Sequence, residues 1–353
     1  MIHNFSAGPA ILPKEVLQKA SEACIDFNSS GLSLLEISHR GKNVIAVFDR
    51  AVELTKKLLK LNDDYTVIFV QGGASTQFAM VPHNFLGKKA AYLNTGVWAS
   101  RAVKEAKHYG ETAVVASSED KNFSYIPKGF VIPTDADYFH YTSNNTIYGT
   151  QIRTVPDSPV PLICDMSSDI FSYEFDASKF DLIYAGAQKN MGPAGATMVI
   201  LKKSILERIQ RPMPTMLNYK IHVDGESMYN TPPVFAVYVT MLTLEWLDNF
   251  GGVAEIEKRN AAKAKLFYGE LDRNSQFKGT VAAEDRSWMN ANFVMEDASK
   301  ESAFNEMLKQ ANISGLAGHR SVGGFRASMY NAMGLESVQA LVDTMQAFEK
   351  TQG

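Results

Sequence analysis

The chain has 353 residues, 45% hydrophobic and 21% charged, enough to bury one large or two moderate cores. Its 20 Phe, 14 Tyr and 3 Trp carry too much apolar surface for a disordered chain. Lys plus Arg number 35 against 38 Asp plus Glu, a net charge of -3, so no overall basic field draws nucleic acid or an anionic membrane, and any anion site must be local.

Residues Met1 to Pro9 contain neither a basic stretch nor a continuous apolar run, which argues against a secretory signal and predicts a chain that stays in the cytoplasm. The longest apolar runs, Thr66 to Val70 and Ala196 to Leu201, fall far short of the roughly 20 residues a membrane span needs. Pro13 then opens a helix whose Val16, Leu17, Ala20, Cys24 and Phe27 share one face, and Val44, Val47, Phe48, Ala51, Leu54 and Leu58 mark a second. Strand-like runs follow at Val67 to Val70, Ala90 to Leu93, Ala113 to Ala116, Tyr138 to Tyr141, Leu162 to Asp165, Leu182 to Tyr184 and Met198 to Leu201, with helical patterns such as Ala99 to Tyr109 between some of them. Strands apolar on both faces and separated by crossovers predict an α/β domain with a mostly parallel sheet. Beyond Pro232-Pro233 the texture changes to long helices, Val234 to Phe250 and Val253 to Arg273, broken by Gly251-Gly252. A strand at Asn292 to Met295, a helix from Ala298 to Gln310, a strand at Phe325 to Met329 and a helix from Glu336 to Lys350 predict a smaller α/β domain, with the N-terminal residues packed on it. Cys24 and Cys164 lie far apart and outside metal-ligand spacing, so both read as buried small hydrophobes rather than a disulfide or zinc ligands.

Three segments could carry chemistry. Val67 to Phe78 reads as a strand, the Gly72-Gly73 turn and a helix opening with Ser75 and Thr76. Free N–H groups at such a helix start make a phosphate cradle, although an unliganded βα turn has the same pattern. Neither a Walker A loop nor a Gly-x-Gly-x-x-Gly fingerprint is present. Lys189 follows a buried strand amid small residues, where desolvation would lower its pKa toward that of an imine-forming nucleophile; a lysine snorkelling from a sheet end is the alternative. Asp165 ends another apolar strand, at the sheet edge where α/β proteins bind ligands, or else serves a turn. Together the three supply what pyridoxal 5'-phosphate needs: a phosphate site, a partner for the pyridine nitrogen and a Schiff-base lysine.

With those parts in this order, the sequence resembles the phosphoserine aminotransferases, fold-type I pyridoxal-phosphate enzymes of the class V aminotransferase group. The resemblance runs from Asn4 to Glu349 and is carried by Glu36-Ile-Ser-His-Arg, Gln71-Gly-Gly-Ala-Ser, Asn94-Thr-Gly-Val-Trp, Tyr184-Ala-Gly-Ala-Gln-Lys-Asn, Tyr229-Asn-Thr-Pro-Pro and the segment from Gly318 to Ala332. It implies a large domain, 16–251, around a mostly parallel seven-stranded sheet, and a small domain built from 1–15 with 252–353.

The implied roles follow residue by residue. Lys189 would bind the cofactor covalently and act as the catalytic base and acid. Asp165 would keep the pyridine nitrogen protonated, Trp98 would stack on the ring, and Thr146 would hydrogen-bond near the ring hydroxyl. Ala74, Ser75 and Gln188 would hold the phosphate, with Asn230 and Thr231 reaching it from the second subunit of a homodimer. Arg326 would clamp the substrate α-carboxylate, while His39, Arg40, His319 and Arg320 would bind the distal phosphate or carboxylate, His39 and Arg40 across the dimer. Some relatives carry Arg where this chain has Ser75, so one distal cation is expected to be missing here. The implied reaction is the reversible transamination of 3-phosphohydroxypyruvate with L-glutamate to O-phospho-L-serine and 2-oxoglutarate, for L-serine biosynthesis. Action on 3-hydroxy-2-oxo-4-phosphobutanoate in pyridoxine biosynthesis is a further expectation. Alternatives are a small-amino-acid aminotransferase, a cysteine-desulfurase-like lyase and a non-catalytic phosphate-binding protein.

Overall fold

Runs of β-branched and aromatic residues form the strands of a seven-stranded sheet in the computed structural model, which describes residues 1–209, 211–320 and 322–352. They are Tyr65–Val70 (β1), Lys89–Asn94 (β2), Glu111–Ser117 (β3), Phe139–Thr142 (β4), Leu162–Asp165 (β5), Leu182–Gly186 (β6) and Thr197–Lys202 (β7). Their spatial order is β1-β7-β6-β5-β4-β2-β3. β2 runs parallel to β3 and β4, β4 to β5, and β5 to β6, whereas β7 is antiparallel to both β6 and β1. All strands except β7 therefore point one way, and their carboxyl ends share one edge of the sheet.

The helices are Lys14–Ile25 (α1), Lys42–Leu58 (α2), Gly73–Phe85 (α3), Val97–Ala106 (α4), Tyr219–Asp224 (α5), Val234–Asn249 (α6), Gly252–Arg273 (α7), Glu301–Gln310 (α8) and Leu335–Gln352 (α9). Because side chains alternate along a strand, the sheet has two apolar faces. Val67, Phe69, Phe139, Tyr141, Cys164 and Met198 pack against α1, α2 and α6. Ile68, Val70, Tyr92, Ile163, Tyr184 and Val199 pack against α3, α4 and α5. Burial on both faces explains why these strands lack polar alternation.

Phe277–Gly279 (β8), Asn290–Met295 (β9) and Phe325–Ser328 (β10) form a second, antiparallel sheet in that order. Phe267, Phe277, Phe293, Phe304, Phe325 and Phe348 fill its core together with Phe5, and His3–Asn4 pairs in parallel with Ile313–Ser314. The long α7 joins both cores, packing Val253 and Ile256 into one and Phe267 and Leu271 into the other.

Several short elements lack a sequence signal. α5, β8 and the His3–Asn4 pairing are too short to show periodicity. Ala298–Lys300 forms a 3-10 turn before α8, because the Asp297 side chain accepts a hydrogen bond from the Ser299 N–H. α3 begins at Gly73, two residues ahead of Ser75. Cys164 is buried as expected, but Cys24 is only half-buried on α1. No helix among the described residues is long and apolar enough to cross a membrane.

Candidate active site

Gly72 and Gly73 turn the chain from β1 into α3 with φ of 97° and 64°, the left-handed region glycine enters without strain. At Gly72 an added Cβ would overlap the Thr76 side chain, so the turn tolerates glycine alone; at Gly73 a Cβ would meet nothing within 4 Å. The N–H groups of Gly73, Ala74 and Ser75 stand in the first turn, ahead of the helical ladder, and Ser75 is exposed. Helix α3 thus presents an anion-binding end. Beside it, a cavity of about 340 Å³ is lined by Gln71, Gly72, Thr76, His222 and Asn230. Gln71 Nε2 donates to the Thr231 carbonyl at 3.1 Å, so within one chain Asn230 and Thr231 already adjoin the turn.

Lys189 lies just beyond β6. Its Nζ donates to Thr146 Oγ1 at 2.8 Å and sits 5.6 Å from the Trp98 ring centroid. Burial pushes its pKa down to about 8; nearby Asp165 opposes the shift and Arg326 adds to it. An amine at about 8 is partly unprotonated near neutral pH, as a nucleophile requires. Thr146 is held in a tight turn by the Gly149 N–H, which donates to the Asn145 carbonyl at 2.7 Å. The N-terminal segment closes over Lys189: an added Cβ on Gly8 would lie 3.3 Å from Lys189 Cγ, and Ala10 N donates to the Gln188 carbonyl at 2.9 Å.

Asp165 is the last residue of β5 and is buried. Burial raises its pKa, while hydrogen bonds from Ser167 Oγ at 2.6 Å and Ser167 N at 2.9 Å, with Lys189 nearby, hold the carboxylate form. A second buried acid, Asp169, is pushed up to about 7 by burial and accepts from Ser143 Oγ and Gln151 Nε2. Ser143 Oγ also donates to the Asp165 carbonyl, so the two acids share one scaffold. Ser167, Ser143 and Asp169 were not singled out by the sequence. Asp169 had a signal in Asp165-Met-Ser-Ser-Asp169, but serines show their role only once folded.

Trp98 opens α4 and is half-buried, with its Nε1 lacking a hydrogen-bond partner. Arg326, on β10, is half-buried; burial lowers its pKa, and its Nε has no partner. His319 is also lowered, by burial and then by Arg326, Arg320 and Arg101, which places those cations together. Val322 and Trp98 pack against the same cluster of Phe123, Ile147 and Tyr148; Ser321, next to Val322, lies outside the described residues.

Lys189, Thr146, Trp98, Asp165, Arg326 and His319 therefore gather at the carboxyl ends of the strands, with Gln188 adjoining Lys189. His39 and Arg40 sit in the turn before α2, where Arg40 is exposed, and among the described residues no hydrogen bond or ion pair joins either to the Lys189 group. No group of three or more His, Cys, Asp or Glu among the described residues is placed to hold a metal ion. The donor set instead fits an aromatic aldehyde with a phosphate tail: a helix end for the phosphate, a Trp face for the ring, a buried carboxylate for a ring nitrogen and an amine of lowered pKa.

The family model for class V aminotransferases matches residues 2–341. A phosphoserine aminotransferase from Flavobacterium psychrophilum is 59% identical over 350 residues, covering 98% of each chain. The solved phosphoserine aminotransferase of Bacillus circulans subsp. alkalophilus superposes with a TM-score of 0.97 at 45% identity, over 100% of this chain and 99% of that one. A pyridoxal-phosphate-bound phosphoserine aminotransferase from Trichomonas vaginalis gives 0.94 at 38% identity, over 98% and 100%. With its sequence matched almost end to end and its fold superposed over the same span, the chain belongs to the class V aminotransferases.

Proposed function

We propose that this chain uses pyridoxal 5'-phosphate to transfer an amino group reversibly between L-glutamate and 3-phosphohydroxypyruvate, giving O-phospho-L-serine and 2-oxoglutarate for L-serine biosynthesis. The observation that carries the proposal is Lys189: a half-buried lysine whose amine desolvation lowers to about 8, bonded to Thr146 and set against Trp98, with Asp165 close enough to act on its charge. The high identity to relatives named phosphoserine aminotransferase supports the choice of substrate.

When bound, the cofactor supplies an electron sink for the pair left at the substrate Cα. Asp165, ionised through Ser167, keeps a proton on the pyridine nitrogen. Ala74, Ser75 and Gln188 hold the phosphate with the helix end, Thr146 bonds near the ring hydroxyl, and Trp98 fixes the ring plane. With the cofactor bound, Lys189 would take the substrate Cα proton as base and then give it back as acid. Arg326 binds the α-carboxylate through its planar fork. His319 and Arg320 take the distal anion, joined by His39 and Arg40 of a second subunit in a homodimer, where Asn230 and Thr231 also reach the phosphate. In this reading the chain divides into 16–251 and 1–15 with 252–353, works in the cytoplasm, and also accepts 3-hydroxy-2-oxo-4-phosphobutanoate for pyridoxine biosynthesis.

A desulfurase-type reaction is disfavoured because Cys164 is buried with its thiol pushed up by that burial, and Cys24 is half-buried on α1. The test is spectroscopic. L-glutamate and O-phospho-L-serine, added separately to the holoenzyme, should each abolish the visible absorbance of the lysine-bound cofactor, and Lys189→Ala should respond to neither. A response to other amino acids alone would overturn the substrate assignment.

A further inference from the structure

Arg101 belongs to none of the roles above, yet it sits one helical turn from Trp98 on α4, its guanidinium carbon 4.7 Å from the indole centroid. Positions three apart share a helix face, so Arg101 is carried on the side of α4 that bears the Trp98 ring. The same ring has Lys189 Nζ at 5.6 Å, and Val322 packs into the Trp98 cluster. Arg101 therefore shares the Trp98 ring with Lys189 and lies in the neighbourhood of His319 and Val322. The lowering of His319 by Arg326, Arg320 and Arg101 agrees with this placement. Among the described residues, arginine ion pairs are made by Arg50, Arg273 and Arg286, which leaves the charges of Arg101, Arg320 and Arg326 uncompensated by carboxylates. Like charges gathered without carboxylates repel one another, an arrangement relieved when an anion enters.

We propose that Arg101, braced on Trp98, is a substrate-binding residue of the distal anion site that sets preference for a dianionic phosphate group over a neutral side chain. This rests on the proposed transamination of substrates charged at both ends. A guanidinium stacked on an aromatic face keeps its edge donors free, so Arg101 can bind phosphate oxygens without leaving the ring.

The test is titration of the holoenzyme, following the cofactor absorbance, with O-phospho-L-serine and with L-alanine, for the wild type, Arg101→Gln and Arg101→Lys. For Arg101→Gln the half-saturating concentration of O-phospho-L-serine should rise about five- to tenfold, as expected for losing one charge-assisted contact at a partly solvated site. The conversion rate at saturation should stay within about twofold, as should kcat/KM for L-alanine, and Arg101→Lys should recover most of the loss. An unchanged half-saturating concentration, or an equal loss with L-alanine, overturns the role of Arg101 while leaving the transamination intact. A wild-type holoenzyme that converts L-alanine but not O-phospho-L-serine overturns the substrate reading and the role of Arg101 with it.

Discussion

At Lys189 the local physics yields a pH signature. In the role proposed for Lys189 the neutral amine is the nucleophile, so covalent capture of added pyridoxal phosphate by the cofactor-free protein should fall about tenfold per unit below a midpoint near 8 and level off above it. Stopped-flow absorbance checks this, and a midpoint near that of free lysine would remove the role given to burial. Arg326→Lys keeps the charge but loses the two-pronged geometry, so KM for both amino donors should rise at least about tenfold in steady-state assays. His140 is buried against Tyr184 and Tyr92, and burial lowers it to about 3. In the unfolded chain it protonates near 6.5, so its contribution to stability is complete above that pH and is lost as pH falls from there toward 3, by up to about 1.4 kcal/mol per unit. Urea unfolding at pH 6.5 and 5 should show a smaller loss of stability in His140→Asn. Among these residues Lys189 and Arg326 stand in sequence segments that announce themselves, whereas His140 lies in an ordinary strand and only folding reveals its burial.

The turn from β1 to α3 rests on two adjacent glycines with different surroundings. Gly72→Ala forces a side chain into φ of 97° and onto Thr76, so it should lose at least about 1–3 kcal/mol of unfolding free energy. Gly73→Ala has open space, so only the backbone conformation resists it and the loss should be nearer about 1 kcal/mol. Chemical denaturation of the two variants separates these effects; equal losses would mean that the overlap with Thr76 does not govern the turn. Strands β1, β2 and β4 to β7 were legible because burial on both faces leaves runs of apolar residues, whereas β3, exposed or half-buried along its length, showed itself through Ala113 to Ala116. The pairing of His3–Asn4 with Ile313–Ser314 was not, since two-residue strands depend on partners distant in the chain.

Across the molecule, buried polar groups tie the two sheets together. Asn144 Nδ2 on the large sheet's side donates to Asn290 Oδ1 on β9, Asn290 Nδ2 donates to the Tyr330 hydroxyl, and Tyr330 in turn donates to the Ala7 carbonyl. Asn331 N donates to Asn190 Oδ1, beside Lys189. Lys263 on α7 is fully buried, donates to the Met329 and Tyr330 carbonyls at 2.8 and 2.7 Å, and is held well below its ordinary pKa by that burial. Lys263→Met takes this donor from the Met329 carbonyl and leaves the Tyr330 carbonyl with the Met333 N–H, and should reduce stability by about 1–3 kcal/mol, read by denaturant titration; an unchanged midpoint would show that the joint does not depend on Lys263. Local order along the chain was enough to reveal an α/β sheet, its glycine turn into a helix and the candidates Lys189 and Asp165, because hydrophobic runs, glycine turns and strand ends are properties of neighbouring residues. The lowered amine, the Ser143 and Ser167 support of the two acids, the meeting of Arg101 with Trp98 and the Lys263 joint were decided by tertiary structure, because desolvation and charge proximity arise only when segments far apart in sequence exclude water together.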